Sequence, residues 1–381
     1  MEFRKIQISE PSLGEEEWQA VKGPIESGWL TQGPKVKAFE EAFAKEHNVK
    51  HAVATTSCTT ALHLALVAME VGPDDEVIVP AFTWIATANA VVYCGATPVF
   101  CDIDLETFNM CPKDLASKIT SKTKVIIPVH LFGLFADMTS IKDIAGDILI
   151  LEDAACAAGA TLDGKYPGEI GKAAAFSFHP RKSITTGEGG MVTTNDDALA
   201  EKMVILRNHG ASVSAEVRHQ GAKPYLLPDF NHLGFNYRMS DVQAAIGLVQ
   251  ITKLRKFITE RQYWADYYAK ELADINWLRT PAIPQNCSPA YQAYVCFVDE
   301  SKSPMPRNDI MEYLQENGIY TRPGTHAVHM LGYYKDNYSL KTDDYPNARD
   351  ADQFSMAIPL HNKMTADDYA YVVDKLKNIH P

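Results

Sequence analysis

Three short stretches carry residue types that could do chemistry. In the first, the apolar run Ala173 to Phe178 turns polar through His179-Pro-Arg-Lys182. Gly187, Gly189 and Gly190 then permit a tight return into a second apolar run, Met191 to Thr194. A lysine held between two core strands readily loses proton affinity, and its neutral amine is a Schiff-base nucleophile. By itself the segment reads more simply as a surface lysine in a glycine-rich hairpin. The second stretch is Thr55-Thr-Ser-Cys-Thr-Thr60, a strand-to-helix turn rich in hydroxyls. Free amides from Cys58 to Thr60 at the helix start would bind a phosphate, aided by the helix dipole. Plain N-capping by Ser57 or Thr59 is the simpler role. The third is Ile148-Leu-Ile-Leu-Glu-Asp153, an apolar strand ending in two carboxylates. A carboxylate at the edge of a dry core needs a cationic partner. No histidine stands nearby in sequence to complete a metal-ligand set, so no metal is expected.

These stretches need a scaffold that brings them together. The alternation of short apolar runs with helical patterns from His51 to Leu151 predicts one. Strands are expected at 52–56, 76–80, 97–103, 124–129 and 147–151, with a helix over 59–69 stopped by Gly72-Pro73. Runs of Val and Ile without alternation predict strands buried on both faces, hence a largely parallel sheet. All three stretches then fall at the C-terminal ends of strands, where open α/β sheets place their ligands. Helices are also expected from Gly14 to about Gly28 and from Pro34 to about His47. Ser240-Asp-Val-Gln243 is a capping box that starts a helix running through Leu254. That helix marks the expected boundary between a large domain, 1–254, and a small α+β domain, 255–381. The latter carries a strand at 294–298 and helices at 308–317 and 366–378.

Composition narrows the partners. The chain has 381 residues, 46% of them hydrophobic, enough for one large and one smaller domain. A net charge of −12 disfavours nucleic acid held by general electrostatics. The seven cysteines (58, 94, 101, 111, 156, 287 and 296) are odd in number and form no CxxC pair. That predicts a reducing compartment and neither a disulfide framework nor a zinc site. The opening Met1-Glu-Phe-Arg-Lys5 has no apolar stretch behind it, so no secretory signal is expected and the location reads as cytoplasmic. Val77 to Cys101 is free of charge for 25 residues, long enough to span a bilayer. Pro80, Asn89, Gly95 and Pro98 break it as turns would, so strand, helix and strand are expected instead of a membrane span.

A phosphate cradle, a buried acid and a lysine are the equipment for holding pyridoxal phosphate. Phe82-Thr-Trp-Ile-Ala-Thr87, Glu152-Asp-Ala-Ala155, Ser177-Phe-His179, Lys182 with Thr185-Thr-Gly-Glu-Gly-Gly190, and Gly234-Phe-Asn-Tyr-Arg-Met239 make the likeness specific. In order and spacing the chain resembles the nucleotide-sugar aminotransferases, a branch of the aspartate-aminotransferase-like fold. From Asp75 to Asn109 it is most similar to enzymes that aminate the 4-keto carbon of a 6-deoxyhexose, the perosamine synthases among them. The resemblance implies a type I fold of pyridoxal-phosphate enzymes: a mostly parallel seven-stranded sheet sandwiched by helices, plus a smaller α+β domain.

It also implies roles. Lys182 would join the cofactor as a Schiff base and then carry protons, and Asp153 would keep the pyridine nitrogen protonated. Trp84 would stack on the ring; Ser57, Cys58, Thr59 and Ser177 would bind the phosphate. Asn236 would reach in from the second subunit of a homodimer with shared active sites. Trp29, His179, Arg238, Arg322, His326 and His329 would lie on the substrate side. Cys58 stands where the family often has glycine. Cys156 replaces the usual glutamine, glutamate or histidine near the cofactor's phenolic oxygen, and a thiol is a weak hydrogen-bond partner. The implied activity moves an amino group from L-glutamate to a nucleotide-linked keto sugar such as GDP-4-keto-6-deoxymannose, for a surface polysaccharide such as O-antigen lipopolysaccharide. Competing readings are a sugar dehydratase of the same fold, whose members carry histidine where Lys182 stands, and a non-catalytic regulatory homologue. A cysteine hydrolase built on Cys58 or Cys156 is weaker, because neither has a histidine beside it in its motif.

Overall fold

The computed structural model describes residues 4–211, 225 and 227–379. Seven strands form its central sheet: β1 (His51–Thr55), β2 (Glu76–Pro80), β3 (Thr97–Cys101), β4 (Thr123–Ile126), β5 (Leu149–Asp153), β6 (Ala173–Ser177) and β7 (Gly190–Thr194). Their spatial order is β1-β7-β6-β5-β4-β2-β3. All run parallel except β7, which is antiparallel to both β6 and β1. The reversal follows from the connection. β6 and β7 are joined by the short turn that holds Lys182, and a link without a crossover can only return antiparallel.

Both faces of the sheet are covered. Val77, Val79, Val125 and Leu151 point into one apolar cluster with the helix Cys58–Ala68. Ile78, Ile126, Ile150 and Phe176 point into another with the helix Pro34–Glu46. Period-two alternation divides these residues between the faces, and continuous Val and Ile runs are what two-sided burial requires. The charge-free stretch from Val77 to Cys101 is β2, the helix Ala86–Tyr93 and β3. Among the described residues no helix is long and apolar enough to cross a membrane.

A third core forms around the antiparallel strands β8 (Leu278–Arg279), β9 (Tyr294–Val298) and β10 (Ser355–Ile358). The helices Arg307–Glu316 and Ala366–Lys377 complete it. The capping box forms as its sequence predicts: the Ser240 hydroxyl accepts from the Gln243 amide at 3.2 Å, and the Gln243 side chain accepts from the Ser240 amide at 3.0 Å. Its helix, however, runs on from Asp241 to Glu271. Leu254, Phe257 and Ile258 pack with the sheet, while Ala265 and Tyr268 pack in the third core. A division after Leu254 therefore falls inside one continuous element. At the other end of the chain, Ile6 pairs with Ile319 and is buried in the third core.

Candidate active site

The β5 pleat turns Glu152 and Asp153 to opposite faces, and both are buried. Asp153 Oδ2 accepts from the Thr87 hydroxyl at 2.8 Å, and Oδ1 accepts from the Ala155 amide at 3.1 Å. Burial pushes its carboxyl above the ordinary range, against the lowering by these hydrogen bonds and by the nearby Lys182 and His130 side chains. The cationic contact expected for it is not made among the described residues; a hydroxyl and an amide stand in its place.

Glu152 corrects a second expectation, that no histidine would be at hand. His130, 22 residues upstream, places Nε2 at 2.8 Å from Oε2. His130 Nδ1 accepts from the Ala136 amide at 3.2 Å, so its proton sits on Nε2 and is donated to the carboxylate. Oε1 accepts from the amides of Gly168 and Gly171 at 2.9 and 2.8 Å. The pair is structural glue behind the site. Among the described residues there is no cluster of three or more side chains that could hold a metal ion.

Lys182 stands in the β6–β7 turn, its amide donating to the His179 carbonyl at 2.9 Å. Its Nζ lies 3.2 Å from Cys156 Sγ. The His179 amide donates to Ser177 Oγ at 3.4 Å, and His179 Nδ1 accepts from the Arg181 amide at 3.2 Å. Burial holds the His179 imidazole below its ordinary range.

The hydroxyl-rich turn both caps and leaves donors free. Ser57 Oγ accepts from the Thr60 amide at 3.2 Å, and Thr60 Oγ1 accepts from the Ser57 amide at 3.0 Å. Of the three amides expected to be free, Thr60's is therefore occupied; those of Cys58 and Thr59 remain at the first turn. A Cβ on Gly190 would lie 2.3 Å from the Ser57 carbonyl oxygen and 2.7 Å from the Cys58 nitrogen, so only glycine lets β7 approach this turn. Burial raises the Cys58 thiol far above its ordinary range, and Asp153, Lys182 and Cys156 all act on it electrostatically. The three sequence stretches thus meet in one place.

The remaining candidates are distributed more widely. Trp84 is 60% exposed, with its ring 5.7 Å from that of His326. His326 is held there by a short antiparallel pairing with Thr83. Arg322 is half-buried on a segment paired with Ala357. His329 does not line this space. It is fully buried, its Nε2 3.1 Å from the Thr342 carbonyl oxygen and its ring 4.8 Å from Tyr345. The Trp29 indole donates to the Gln32 carbonyl at 3.2 Å and covers Gly33. Arg238 donates to Asn208 Oδ1 at 2.8 Å, and the exposed Asn236 pairs through its backbone with Asn208. Two contributors carry no role in the sequence reading. Thr87 belongs to the quoted Phe82–Thr87 motif, but its target lies 66 residues away; His130 belongs to no motif.

The residues present fit pyridoxal phosphate. A buried carboxylate without a cation in contact suits a pyridinium nitrogen. Two free amides at a helix start, backed by a glycine strand, suit a phosphate. A lysine amine stands close enough to act electrostatically on both Asp153 and Cys58. Along its length the chain matches the DegT/DnrJ/EryC1/StrS aminotransferase family over residues 11–377. It is 40% identical to the GDP-perosamine synthase of Caulobacter vibrioides, across 98% of both chains. It is 39% identical to the spore coat polysaccharide biosynthesis protein SpsC of Bacillus subtilis, across 98% of this chain and 97% of that one. A candidate sugar aminotransferase of Streptococcus pneumoniae, solved in its PMP form, superposes with a TM-score of 0.91 at 31% identity over 98% of both chains. The fold and site define a pyridoxal-phosphate-dependent transferase. The chain belongs to the DegT/DnrJ/EryC1/StrS family and is a sugar aminotransferase.

Proposed function

We propose that the protein moves the amino group of L-glutamate onto a nucleotide-linked 4-keto-6-deoxyhexose such as GDP-4-keto-6-deoxymannose. The observation that carries this reading is the near full-length likeness to a GDP-perosamine synthase. The amino sugar would enter a surface polysaccharide or glycan, in keeping with the spore coat relative. The work would be done in the cytoplasm, as cysteine usage favours.

Bound pyridoxal phosphate would supply an electron sink for the carbanion formed when the carbon bearing the nitrogen loses its proton. Lys182 would anchor the cofactor and, once displaced, move that proton. Asp153 would hold a proton on the ring nitrogen, its own burial and lack of a cation favouring that pairing. The amides of Cys58 and Thr59 and the hydroxyls of Ser57 and Ser177 would bind the phosphate. Cys156, already against Lys182, would stand near the phenolic oxygen, and the open face of Trp84 would cover the ring. Trp29, His179, Arg238 and His326 belong to the substrate side. Two copies of the chain would complete each site, with Asn236 crossing from one protomer to the partner's phosphate.

The test is an assay of purified protein with L-glutamate against a panel of GDP-, UDP- and dTDP-linked keto sugars, read by mass spectrometry. An aminated GDP-4,6-dideoxyhexose is the expected product. Amination confined to a UDP- or dTDP-linked sugar would overturn the choice of acceptor.

A further inference from the structure

Asn236 is displayed by the residues on either side of it. The rings of Phe235 and Tyr237 lie stacked, 4.9 Å apart and 7° from parallel, and both residues are half-buried. Neighbours two apart on one face send the residue between them to the other, and Asn236 is exposed there. The backbone behind them is fixed. The Phe235 amide donates to the Leu206 carbonyl at 2.6 Å, and the Tyr237 amide donates to the Arg207 carbonyl at 3.0 Å. The His209 amide donates in turn to the Phe235 carbonyl at 2.8 Å. A Cβ on Gly234 would lie 2.0 Å from the Gly210 nitrogen, so the two stretches run in backbone contact.

The stacked rings rest on one side chain, His63. Its Nδ1 is 3.0 Å from the Tyr237 hydroxyl, and its ring is 5.0 Å from that of Phe235. His63 is itself buried. It stands on the helix Cys58–Ala68, whose Ala61, Leu62, Leu64, Ala65 and Leu66 are all buried in the core. An anchor on such a tightly packed helix moves little. A hydrogen bond to it also gives the Tyr237 ring a direction, which apolar packing alone does not. The same helix offers the amides of Cys58 and Thr59 at its first turn, about 7.5 Å along the axis from His63.

We infer that His63 and Tyr237 are positioning residues that aim Asn236 at the cofactor phosphate of the partner subunit; the inference rests on the shared site proposed above. In this role His63 touches neither cofactor nor substrate. It acts through the Tyr237 hydroxyl on the direction in which the adjoining Asn236 leaves the chain. One helix then serves two sites. Its first turn would hold the phosphate of its own chain, while its second turn braces the asparagine that crosses to the other. If His63 served packing alone, its ring would matter and its hydrogen bond to Tyr237 would not, and that difference can be measured.

The experiment titrates the full-length apoenzyme with pyridoxal phosphate and reads the cofactor's absorbance, alongside the melting temperature. Tyr237→Phe keeps the stacked rings and removes only the hydroxyl. It should raise the Kd for the cofactor by ~3–10-fold, the range for one neutral hydrogen bond. His63→Leu should act in the same direction, and His63→Asn, which sets an amide close to the place of Nδ1, should recover most of the affinity. Asn236→Ala should bind the cofactor more weakly by itself. In that background Tyr237→Phe should have no further effect, because the residue it aims is gone. If Tyr237→Phe weakens binding equally with and without Asn236, the contact serves the fold alone and the inference is overturned. If Asn236→Ala weakens binding but Tyr237→Phe and His63→Leu do not, the asparagine works without this brace, and the inference alone falls. If Asn236→Ala binds the cofactor as tightly as the wild type, the shared phosphate contact proposed above fails and takes the brace with it.

Discussion

At the residue scale, Asp153 separates chemistry from fold. Its carboxyl is buried, raised in pKa, and held by Thr87 and the Ala155 amide. Asp153→Asn keeps the shape and both contacts possible while removing the ion pair proposed for the ring nitrogen. Turnover is expected to fall by ~10²-fold or more while the melting temperature stays close to wild type. Near-normal turnover would count against the cofactor's orientation. Thr87→Val refines this. The hydroxyl lowers the Asp153 pKa against the rise from burial, so its loss moves that pKa further up. The carboxylate is then lost at a higher pH, and the acid limb of the kcat profile should shift upward; a downward shift would contradict the contact. Some of this site can be read from residue types in order, because Lys182, Asp153 and Cys58 sit at strand ends in motifs that carry their own turns. The Thr87–Asp153 and His130–Glu152 contacts cannot be read that way. They join residues 66 and 22 positions apart, and only the sheet order brings them together. Only the resemblance places His329 on the substrate side with His326; a short helical turn at Val328–Met330 sends it into the core.

At the scale of elements, the turn proposed to hold the phosphate depends on how closely β7 approaches it. Gly190→Ala would set a Cβ 2.3 Å from the Ser57 carbonyl oxygen, and neither partner is a side chain that could swing away. The turn must shift, so cofactor affinity measured by titrating the apoenzyme should fall by ~10-fold or more, as for the loss of a charge-assisted contact. Unchanged affinity would mean that this turn does not hold the phosphate. The elements themselves were largely legible. β2 and β9 have the bounds their Val, Ile and aromatic runs predict, and the capping box at Ser240 forms as written. The far end of that helix was not legible at Leu254, because no glycine or proline follows until well beyond Glu271 and its later apolar residues serve a different core. We propose that this helix is shared by the large and small domains instead of ending at their boundary.

At the scale of the whole molecule, exposed apolar side chains accompany the segment proposed to cross between protomers. Leu227, Phe230 and Leu233 are 82%, 60% and 91% exposed, more than isolated surface residues require. Twofold symmetry is the commonest closed arrangement and would bury this patch while creating two equivalent sites. Lys182→Ala and Asn236→Ala should each be poor alone. If Asn236 serves the partner, mixing them gives heterodimers with one doubly defective site and one intact site. Random remixing would restore roughly a quarter of all sites, as the symmetry dictates. Activity equal to the mean of the two parents would show that Asn236 serves its own chain.

Every scale converges on Lys182, and reduction of the holoenzyme with borohydride tests it most directly. The reagent fixes the cofactor to the amine that holds it, and peptide mapping then identifies that amine. The pyridoxyl group is expected on the peptide carrying Lys182, between Ser177 and Gly190. Recovery on Lys172 or Lys165 would contradict the account.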